Sequence, residues 1–326
     1  MSTGKLVLLD LLAIVLGLNC FALFHHVIPT WFPEDRQAVP ISSLAEEELA
    51  RVGEEAAAEP EAPPSEAPEE PAETEAPKRS GMFGERFAAQ FTDGEVIETE
   101  DSYRSANVSV TVKTVRRPAL VYYVAEIYVS DLKYLRTAIG YEMWGRSESA
   151  QELAQRHQAV IAISGDHYYG RMDGVVVRNG LLYRDSRNED VCILLRDGRM
   201  LTVPDRELDL DALAEMDPWQ VWSFGPRLLE DGKAIEEFSS SVVRANPRSA
   251  IGCVEPGHYF FVVVDGRGGN ESGGMTLPDL AKLFEELGCE TAYNLDGGRT
   301  ASMVWRDELL SYPYLRPVYD IIFVTG

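Results

Sequence analysis

Polar side chains suited to catalysis cluster in two short segments, DGR at 265–267 and NLDGGRT at 294–300. The guanidinium of Arg267 can hold two oxygens of one phosphate, and Gly297 and Gly298 let backbone N–H groups approach an anion. The carboxylates can act as acid, base or nucleophile at the anomeric carbon of a sugar, or bind a hard cation. The segments therefore supply parts for phosphate binding and parts for a glycosidase or metal site.

Two segments further upstream add residues of the same kinds. SGDHYYG at 164–170 places Asp166 after an apolar stretch, and NPRSAIG at 246–252 places Arg248 just ahead of one. The ring of Tyr168 is a candidate stacking surface for a sugar, although tyrosines at strand ends more often belong to the core. Each residue alone is a common turn or surface feature, so their significance depends on whether the fold brings them together.

One supersecondary unit is expected to bring the segments at 265–267 and 294–300 together. Strand 260–265, helix 277–287 and strand 291–295 have the pattern of a βαβ crossover, whose strands can be parallel neighbours. The C-terminal ends of such strands open on the same side of the sheet, where ligands tend to bind. We therefore expect Asp265 and Arg267 to meet Asn294 and Asp296 at one edge.

The remaining elements indicate a sheet-rich domain. Residues 107–115 alternate polar and apolar side chains, which predicts a strand, and Ser149 with Glu152 forms a capping box that predicts a helix ending near His157. Asn-Gly and Asp-Gly steps predict hairpins. They lie at 179–180, 197–198 and 231–232. The predicted fold class is α+β, with mixed, largely antiparallel sheets, a few packed helices and one βαβ crossover.

The N-terminal segment predicts membrane attachment. Leu6 to Ile28 is a nearly continuous apolar run, long enough to cross a bilayer at ~1.5 Å per residue. Asp10 and Asn19 interrupt it, and a cleaved signal peptide is the alternative, but no small-residue cleavage site follows cleanly. We expect residues 1–33 to be a signal anchor that places the rest of the chain outside the cytoplasm, on a bacterial cell surface.

A linker is expected to follow the anchor. Residues 34–80 are rich in Pro, Glu and Ala and poor in large apolar side chains, so we expect a disordered stalk. The folded domain is then 81–326. The chain has 326 residues and a net charge of -23, and its acidity excludes a nucleic-acid groove, which needs a basic patch.

From about residue 159 onward, the order of segments resembles the phosphodiester glycosidase family. The resemblance is carried by VVVDGRGGNESGGMTLPDLAKLFEELGCETAYNLDGGRTASM (262–303), and by SFGPRLLEDGK, NPRSAIG and SGDHYYG upstream. It implies a hydrolase that cleaves sugar-1-phosphodiester bonds. The active-site positions that it implies are Asp166, Arg248, Asp265, Arg267, Asn294, Asp296, Gly297 and Gly298.

Within this set we assign catalysis to Asp166, Asp265, Asn294 and Asp296. The substrate and its phosphate would contact the remaining predicted residues, which are Arg248, Arg267, Gly297, Gly298, Arg299, Thr300 and Tyr168. The chain departs from the family where Ser164 replaces an Asn, and where Arg299, Thr300 and Ala301 replace a Gly and two Ser. Arg299 adds a cation beside the glycine turn, which bears on the identity of the substrate.

Three hypotheses follow from the sequence. The first is an extracytoplasmic glycoside hydrolase that acts on sugar-1-phosphodiesters of cell-surface glycopolymers, with a carbohydrate phosphodiester substrate and a membrane contact through the N-terminal helix. The second is a non-catalytic protein that binds cell-wall or exopolysaccharide glycans. The third is a divalent-metal phosphodiesterase that uses the Asp cluster, since no Cys/His spacing indicates zinc and the carboxylates leave a divalent cation open.

Overall fold

The computed structural model describes residues 38–41, 81–171, 173–186, 190–204, 208–314 and 316–326. The predicted membrane segment 1–33 lies outside these residues, as does nearly all of the predicted stalk. None of the helices described is both long enough and apolar enough to cross a bilayer. Residues 38–41 were assigned to the stalk, but Val39 pairs with Leu182 and Ile41 is buried, so this short piece packs on the domain.

β-Strands are the predominant secondary structure of the described chain, and three short α-helices accompany them. The strands are β1 Val39–Pro40, β2 Ile97–Glu98, β3 Ser102–Arg104, β4 Val108–Arg117, β5 Leu120–Val129, β6 Leu135–Ile139, β7 Ala159–Ser164, β8 Val175–Arg178, β9 Leu181–Asp185, β10 Val191–Leu195, β11 Met200–Val203, β12 Pro218–Trp222, β13 Leu229–Glu230, β14 Lys233–Ala234, β15 Arg248–Glu255, β16 His258–Val264, β17 Thr291–Asn294, β18 Met303–Trp305, β19 Glu308–Leu309 and β20 Asp320–Thr325. The helices are α1 Ala150–Arg156, α2 Leu210–Glu215 and α3 Leu277–Glu286.

The strands form three larger sheets and one isolated hairpin. The seven-stranded sheet has the order β17-β15-β16-β5-β4-β3-β2, the six-stranded sheet β1-β9-β8-β12-β10-β11, and the five-stranded sheet β19-β18-β7-β20-β6. β13 and β14 pair only with each other. Every strand pairing among the described residues is antiparallel.

The main core lies where the three sheets face one another. Ile127 and Phe261 of the seven-stranded sheet, Ile163 of the five-stranded sheet and Trp222 of the six-stranded sheet belong to one buried apolar cluster. This arrangement follows from strands whose alternate side chains are apolar on the inner face. The core therefore fixes the relative positions of the strand ends that carry the polar segments.

Each helix covers the outer face of one sheet. Leu280 and Phe284 of α3 pack on Phe260 and Val262 of the seven-stranded sheet. In the same way α1 covers the five-stranded sheet and α2 the six-stranded sheet. The N-terminus of α3 is capped by Thr276, whose hydroxyl accepts a hydrogen bond from the backbone N–H of Asp279 at 3.2 Å.

The predicted α+β class with a βαβ unit of neighbouring strands is wrong. The connection β16-α3-β17 exists, but β15 lies between the two strands and is antiparallel to both. β15 and β16 form a hairpin through Pro256 and Gly257, so α3 carries the chain across β15 before β17 begins. The fold is mostly antiparallel β-sheet, with a few short helices on its outer faces.

Candidate active site

Three adjacent strands bring polar residues to one edge of the seven-stranded sheet. Arg248 is the first residue of β15, Asn294 is the last of β17, and Asp265 directly follows β16. Because β15 runs antiparallel to both neighbours, its start lies beside their ends, with Arg248 opposite Val264 and Ala250 opposite Asn294. The expected common edge therefore exists, although a different strand order produces it.

A pocket of about 200 Å³ opens at this edge. Seven of the predicted site residues line it, namely Arg248, Arg267, Asn294, Asp296, Gly297, Gly298 and Arg299. The sequence analysis did not identify Phe224, Asn246 or Arg316, which also line it. Among the described lining residues, Asp296 provides the sole carboxylate.

Arg248 is a buried cation at this pocket. Its side chain donates to backbone carbonyls, with Nε at 2.9 Å from Met275 O and Nη2 at 2.6 Å from both Val242 O and Arg244 O. Within the described part of the chain, no carboxylate forms an ion pair with it. Burial lowers the pKa of the guanidinium to about 10. A buried charge without a counter-ion favours binding of an anion.

Arg267 reaches the same pocket from the loop after β16. It is exposed, and its Nη2 donates to Asn246 Oδ1 at 3.3 Å. A Cβ on Gly298 would lie only 3.3 Å from this Nη2 atom, so a glycine there allows the guanidinium to approach the turn closely. Arg248 and Arg267 thus present two guanidinium groups to one small space.

The glycine turn packs against β15 rather than presenting its amides freely. A Cβ on Gly297 would lie 2.5 Å from Pro247 O, so no larger residue fits without moving the backbone. The N–H of Gly298 donates to the same oxygen at 2.9 Å. The expectation that this N–H faces an anion is therefore wrong, and the glycines instead bring Asp296 and Arg299 close to Arg248.

Asn294 presents an unsatisfied oxygen. Its side-chain Nδ2 donates to Gly225 O at 2.7 Å, which fixes the amide orientation. Its Oδ1 is buried and has no hydrogen-bond partner among the described residues. Buried acceptors are normally paired, so this oxygen is suited to receive a proton donor from a sugar hydroxyl or a water in the pocket.

Asp296 has a neighbour that the sequence analysis missed. The imidazole Nδ1 of His167 lies 3.4 Å from Asp296 Oδ2, and the His167 ring packs 5.1 Å from that of Tyr319, measured between centroids. His167 stands next to Asp166 in the segment SGDHYYG. The sequence contains a feature that could have identified His167, because a titratable ring follows a buried strand at the same edge as the other polar segments.

Asp166 lies in a buried ion network. Its Oδ2 accepts from Ser223 N–H at 2.8 Å and from Arg178 Nη2 at 3.3 Å, and Arg178 Nε donates to Asp320 at 2.8 Å. All three charged side chains are almost completely buried. Burial, opposed by Arg178 and assisted by the nearby Asp166 carboxylate, raises the pKa of Asp320 to about 6. Asp166 thus joins β7, β8 and β20.

Asp265 is also fully enclosed. Its Oδ2 accepts from Tyr123 OH at 2.9 Å and from Asn270 Nδ2 at 2.6 Å, while Oδ1 accepts from Tyr312 N–H at 2.8 Å. These donors fix the loop that carries Arg267. Of the three predicted aspartates, only Asp296 lines the pocket.

The last two predicted site residues, Thr300 and Tyr168, are buried and contact other parts of the protein. Thr300 is buried, and its hydroxyl donates to Gly297 O at 2.6 Å, which closes the glycine turn. Tyr168 is buried against Trp144, with ring centroids 4.6 Å apart. Neither side chain is among those that line the pocket. Within the described residues, no group of three or more His, Cys, Asp or Glu side chains is placed to hold a metal ion.

Comparisons with known proteins point to one family. A family model described as phosphodiester glycosidase matches residues 157–325, and these include the whole pocket. The chain is 32% identical over 161 residues to the SPbeta prophage-derived uncharacterized protein YomE of Bacillus subtilis (strain 168). That match covers 46% of this chain and 25% of the relative, so the chain spans about a quarter of the relative's length.

A solved structure has the same fold. The zebrafish N-acetylglucosamine-1-phosphodiester alpha-N-acetylglucosaminidase catalytic domain, auto-inhibited by its pro-peptide, superposes with a TM-score of 0.57 at 20% sequence identity. The superposition covers 78% of this chain and 96% of the zebrafish chain. Because the family model covers just over half of its residues, including every residue of the pocket, this chain belongs to the phosphodiester glycosidase family.

Proposed function

We propose that this protein is a glycoside hydrolase that cleaves the bond between a sugar's anomeric carbon and a phosphodiester oxygen. Membership of the phosphodiester glycosidase family supports a hydrolase that acts on such linkages. The observation that carries the proposal is the juxtaposition of Arg248, a buried cation without a carboxylate partner, with Asp296 in the same pocket. The guanidinium of Arg248 suits binding of the phosphate, and the carboxylate of Asp296 suits chemistry at the anomeric carbon of the sugar.

The pocket suggests a role for each residue. As the C1–O bond breaks, its electron pair passes to the phosphate oxygen, and Arg248 and Arg267 stabilise the resulting phosphate monoester. A phosphate monoester is a good leaving group, so a strong general acid is unnecessary. Asp296 accepts one proton from the water that attacks C1, and the unpaired Asn294 Oδ1 accepts a hydrogen bond from the other O–H of that water, which stays on the released sugar.

The cellular setting is proposed from the sequence alone. The apolar run of residues 6–28 and the Pro- and Glu-rich stretch after it support a membrane anchor and a stalk, with the domain outside the cytoplasm. For such a bacterial surface protein, we propose that the substrates are phosphodiester-linked glycopolymers, such as teichoic-acid-like chains or exopolysaccharides.

Sugar release by the purified full chain tests the activity. The probe is the methyl phosphodiester of N-acetylglucosamine 1-phosphate, whose sugar is the one named for the zebrafish enzyme. We expect free sugar to appear, and Asp296→Asn to lower the rate at least ~100-fold. Asp307→Asn, which makes the same chemical change at an exposed turn, is the matched control and should keep full activity.

Two outcomes would contradict the proposal. Tight binding of glycan with no release of sugar by the unaltered chain would favour the non-catalytic binding protein. Cleavage that leaves phosphate on the sugar, and that stops with EDTA, would favour a metal-dependent phosphodiesterase. Equal activity in Asp296→Asn and Asp307→Asn would remove Asp296 from the reaction.

A further inference from the structure

The pocket carries more positive charge than one phosphodiester requires. Four guanidinium groups line it, and the described lining residues include one carboxylate, which leaves an excess of three positive charges (four minus one). These groups are Arg248, Arg267, Arg299 and Arg316, and the carboxylate is that of Asp296. A phosphodiester carries a single negative charge. The concentration of cations contrasts with the chain as a whole, whose net charge is -23.

The four arginines fall into two pairs. Arg248 and Arg267 are held by hydrogen bonds to protein oxygens, as described above. The side chains of Arg299 and Arg316 are exposed, and neither has a hydrogen bond or ion pair with any residue that the structure describes. The second pair is therefore available to bind an anionic group of a ligand without giving up an internal contact.

Hydrogen bonds hold the backbone of the turn that carries Arg299. It lies in the turn Gly298–Thr300, which is closed by the hydrogen bond from the Thr300 hydroxyl to Gly297 O at 2.6 Å. The turn is also held by the hydrogen bond from Gly298 N–H to the carbonyl of Pro247, the residue just before β15. The side chain is thus anchored beside the proposed phosphate position while its guanidinium remains exposed.

Arg316 reaches the pocket from a different loop, ahead of β20. The same loop leads to Tyr319, whose ring packs on His167, the neighbour of Asp296. Burial raises the pKa of the Tyr319 phenol, and the charge of Arg316 opposes this rise. Arg299 and Arg316 therefore approach the pocket from separate loops.

We propose that Arg299 and Arg316 form a second anion-binding subsite, and that the substrate is a glycosyl phosphodiester that carries another phosphate group. The proposal rests on the phosphodiester glycosidase function. A polymer with a phosphate in each repeat unit has this chemistry, and the second phosphate can belong either to the alcohol or to the sugar. In either case the second subsite selects against a substrate with a single charge.

Three synthetic substrates distinguish these cases. One is the methyl phosphodiester of N-acetylglucosamine 1-phosphate, with a single charge. In the second, glycerol 3-phosphate replaces methanol, so the added phosphate is on the alcohol, and in the third, the added phosphate is on O6 of the sugar. We expect KM to be at least ~10-fold lower for one of the two bisphosphates than for the methyl diester, with similar kcat, since one charge-assisted contact contributes about that factor.

A double variant that combines Arg299→Gln with Arg316→Gln removes both charges of the second subsite. The control is Arg199→Gln. Arg199 is an exposed arginine paired with Asp197, so its replacement removes charge away from the pocket. The double variant should raise KM for the preferred bisphosphate by at least ~10-fold more than it raises KM for the methyl diester, while the control keeps the preference. No preference in the unaltered protein, or an equal loss for all substrates, would overturn the proposal.

Binding measurements separate this proposal from the proposed function. If the protein releases sugar from none of the substrates, the hydrolase function fails, and the subsite is still tested by calorimetric titration with glycerol 1,3-bisphosphate and glycerol 1-phosphate. The subsite predicts binding of the bisphosphate that is at least ~10-fold tighter and that weakens in the double variant. Equal affinities for the two compounds would refute the subsite whatever the activity.

Discussion

The imidazole Nδ1 of His167 lies 3.4 Å from Oδ2 of Asp296, and Asp296 is the carboxylate that faces the pocket. Within the described residues, this Nδ1 atom is buried and has no hydrogen bond of good geometry. A small movement of either side chain would form that bond. His167 can therefore position Asp296 without itself contacting the sugar, which makes it a positioning residue of the proposed reaction.

The first prediction is that His167→Phe lowers kcat and leaves KM nearly unchanged. Phenylalanine retains the ring contact with Tyr319 but has no nitrogen to orient Asp296. We expect a loss of roughly tenfold or more in kcat, because small errors in the position of a reacting group are costly. Steady-state kinetics with the methyl phosphodiester measure both constants, and a change confined to KM would contradict the positioning role.

The second prediction is that Gly170→Ala reproduces this loss without touching His167. A Cβ at position 170 would lie 1.8 Å from His167 Nε2, so the imidazole must move. The matched control is Gly273→Ala, where the nearest atom to the new Cβ is Ala119 O at 3.6 Å. Full activity in Gly170→Ala would show that the observed position of His167 is not needed.

The third prediction is that Arg248→Lys removes both activity and the stabilising effect of phosphate. Lysine cannot reproduce the planar contacts to four backbone carbonyls, so we expect kcat/KM to fall at least ~100-fold. Because burial lowers the pKa of Arg248 to about 10, its charge is costly in the free protein, and an anion should relieve that cost. Inorganic phosphate should raise Tm of the unaltered protein, and this increase should disappear in Arg248→Lys.

The fourth prediction separates two aspartates by stability. Asp265 accepts hydrogen bonds from three donors, and an amide at this position would direct an N–H toward a donor. We expect Asp265→Asn to lower the free energy of unfolding by about 2 kcal/mol or more. Asp296→Asn makes the same change beside the open pocket and should alter it by less than ~0.5 kcal/mol. Urea unfolding measures both, and equal effects would contradict the assignment of Asp265 to structure.

The fifth prediction concerns pH. The pKa of Asp320 in the folded protein is raised to about 6 by burial, so the folded state binds this proton more tightly than the unfolded state. The resulting stability is fully present below about pH 4 and is lost as pH rises through 6. Relative to Asp320→Asn, the unaltered protein should therefore lose about 2 kcal/mol of unfolding free energy between pH 4 and pH 7. A constant difference would contradict the raised pKa.

Local features of the fold were predictable because the sequence encodes them locally. Asn179 and Gly180 adopt positive φ angles of 53° and 79° between β8 and β9, as the Asn-Gly step predicts for a tight hairpin. Ser149 caps α1, and its hydroxyl accepts from the N–H of Glu152. In both cases the deciding interaction lies within a few residues.

The strand order was not predictable in the same way. The apolar strands β16 and β17 and the helix between them match a βαβ unit, and that pattern does not reveal a third strand inserted from earlier in the chain. The pairing of Ala250 with Asn294 joins residues 44 apart, so no local signal fixes it. The polar segments still reached one edge, because β16 and β17 run in the same direction on either side of β15.

The roles of the aspartates were equally hidden from the sequence. Each of the three follows a strand in a similar setting, and their environments differ through distant partners. Asp166 contacts Arg178, which also binds Asp320, 154 residues further along the chain from Asp166. Only the three-dimensional arrangement separates this buried carboxylate from Asp296, which opens to the pocket.

The position of β15 between β16 and β17 has a consequence for how substrate preference can change. Arg248 and Asn294 belong to strands that share a continuous hydrogen-bonded ladder, so neither can shift without disturbing the sheet. Arg299 and Arg316 lie on loops at the rim and carry no such constraint. Exchange of Arg299 or Arg316 can therefore change which substrate is accepted while Arg248 and Asn294 keep their positions, which makes these two loops the practical target for redesign.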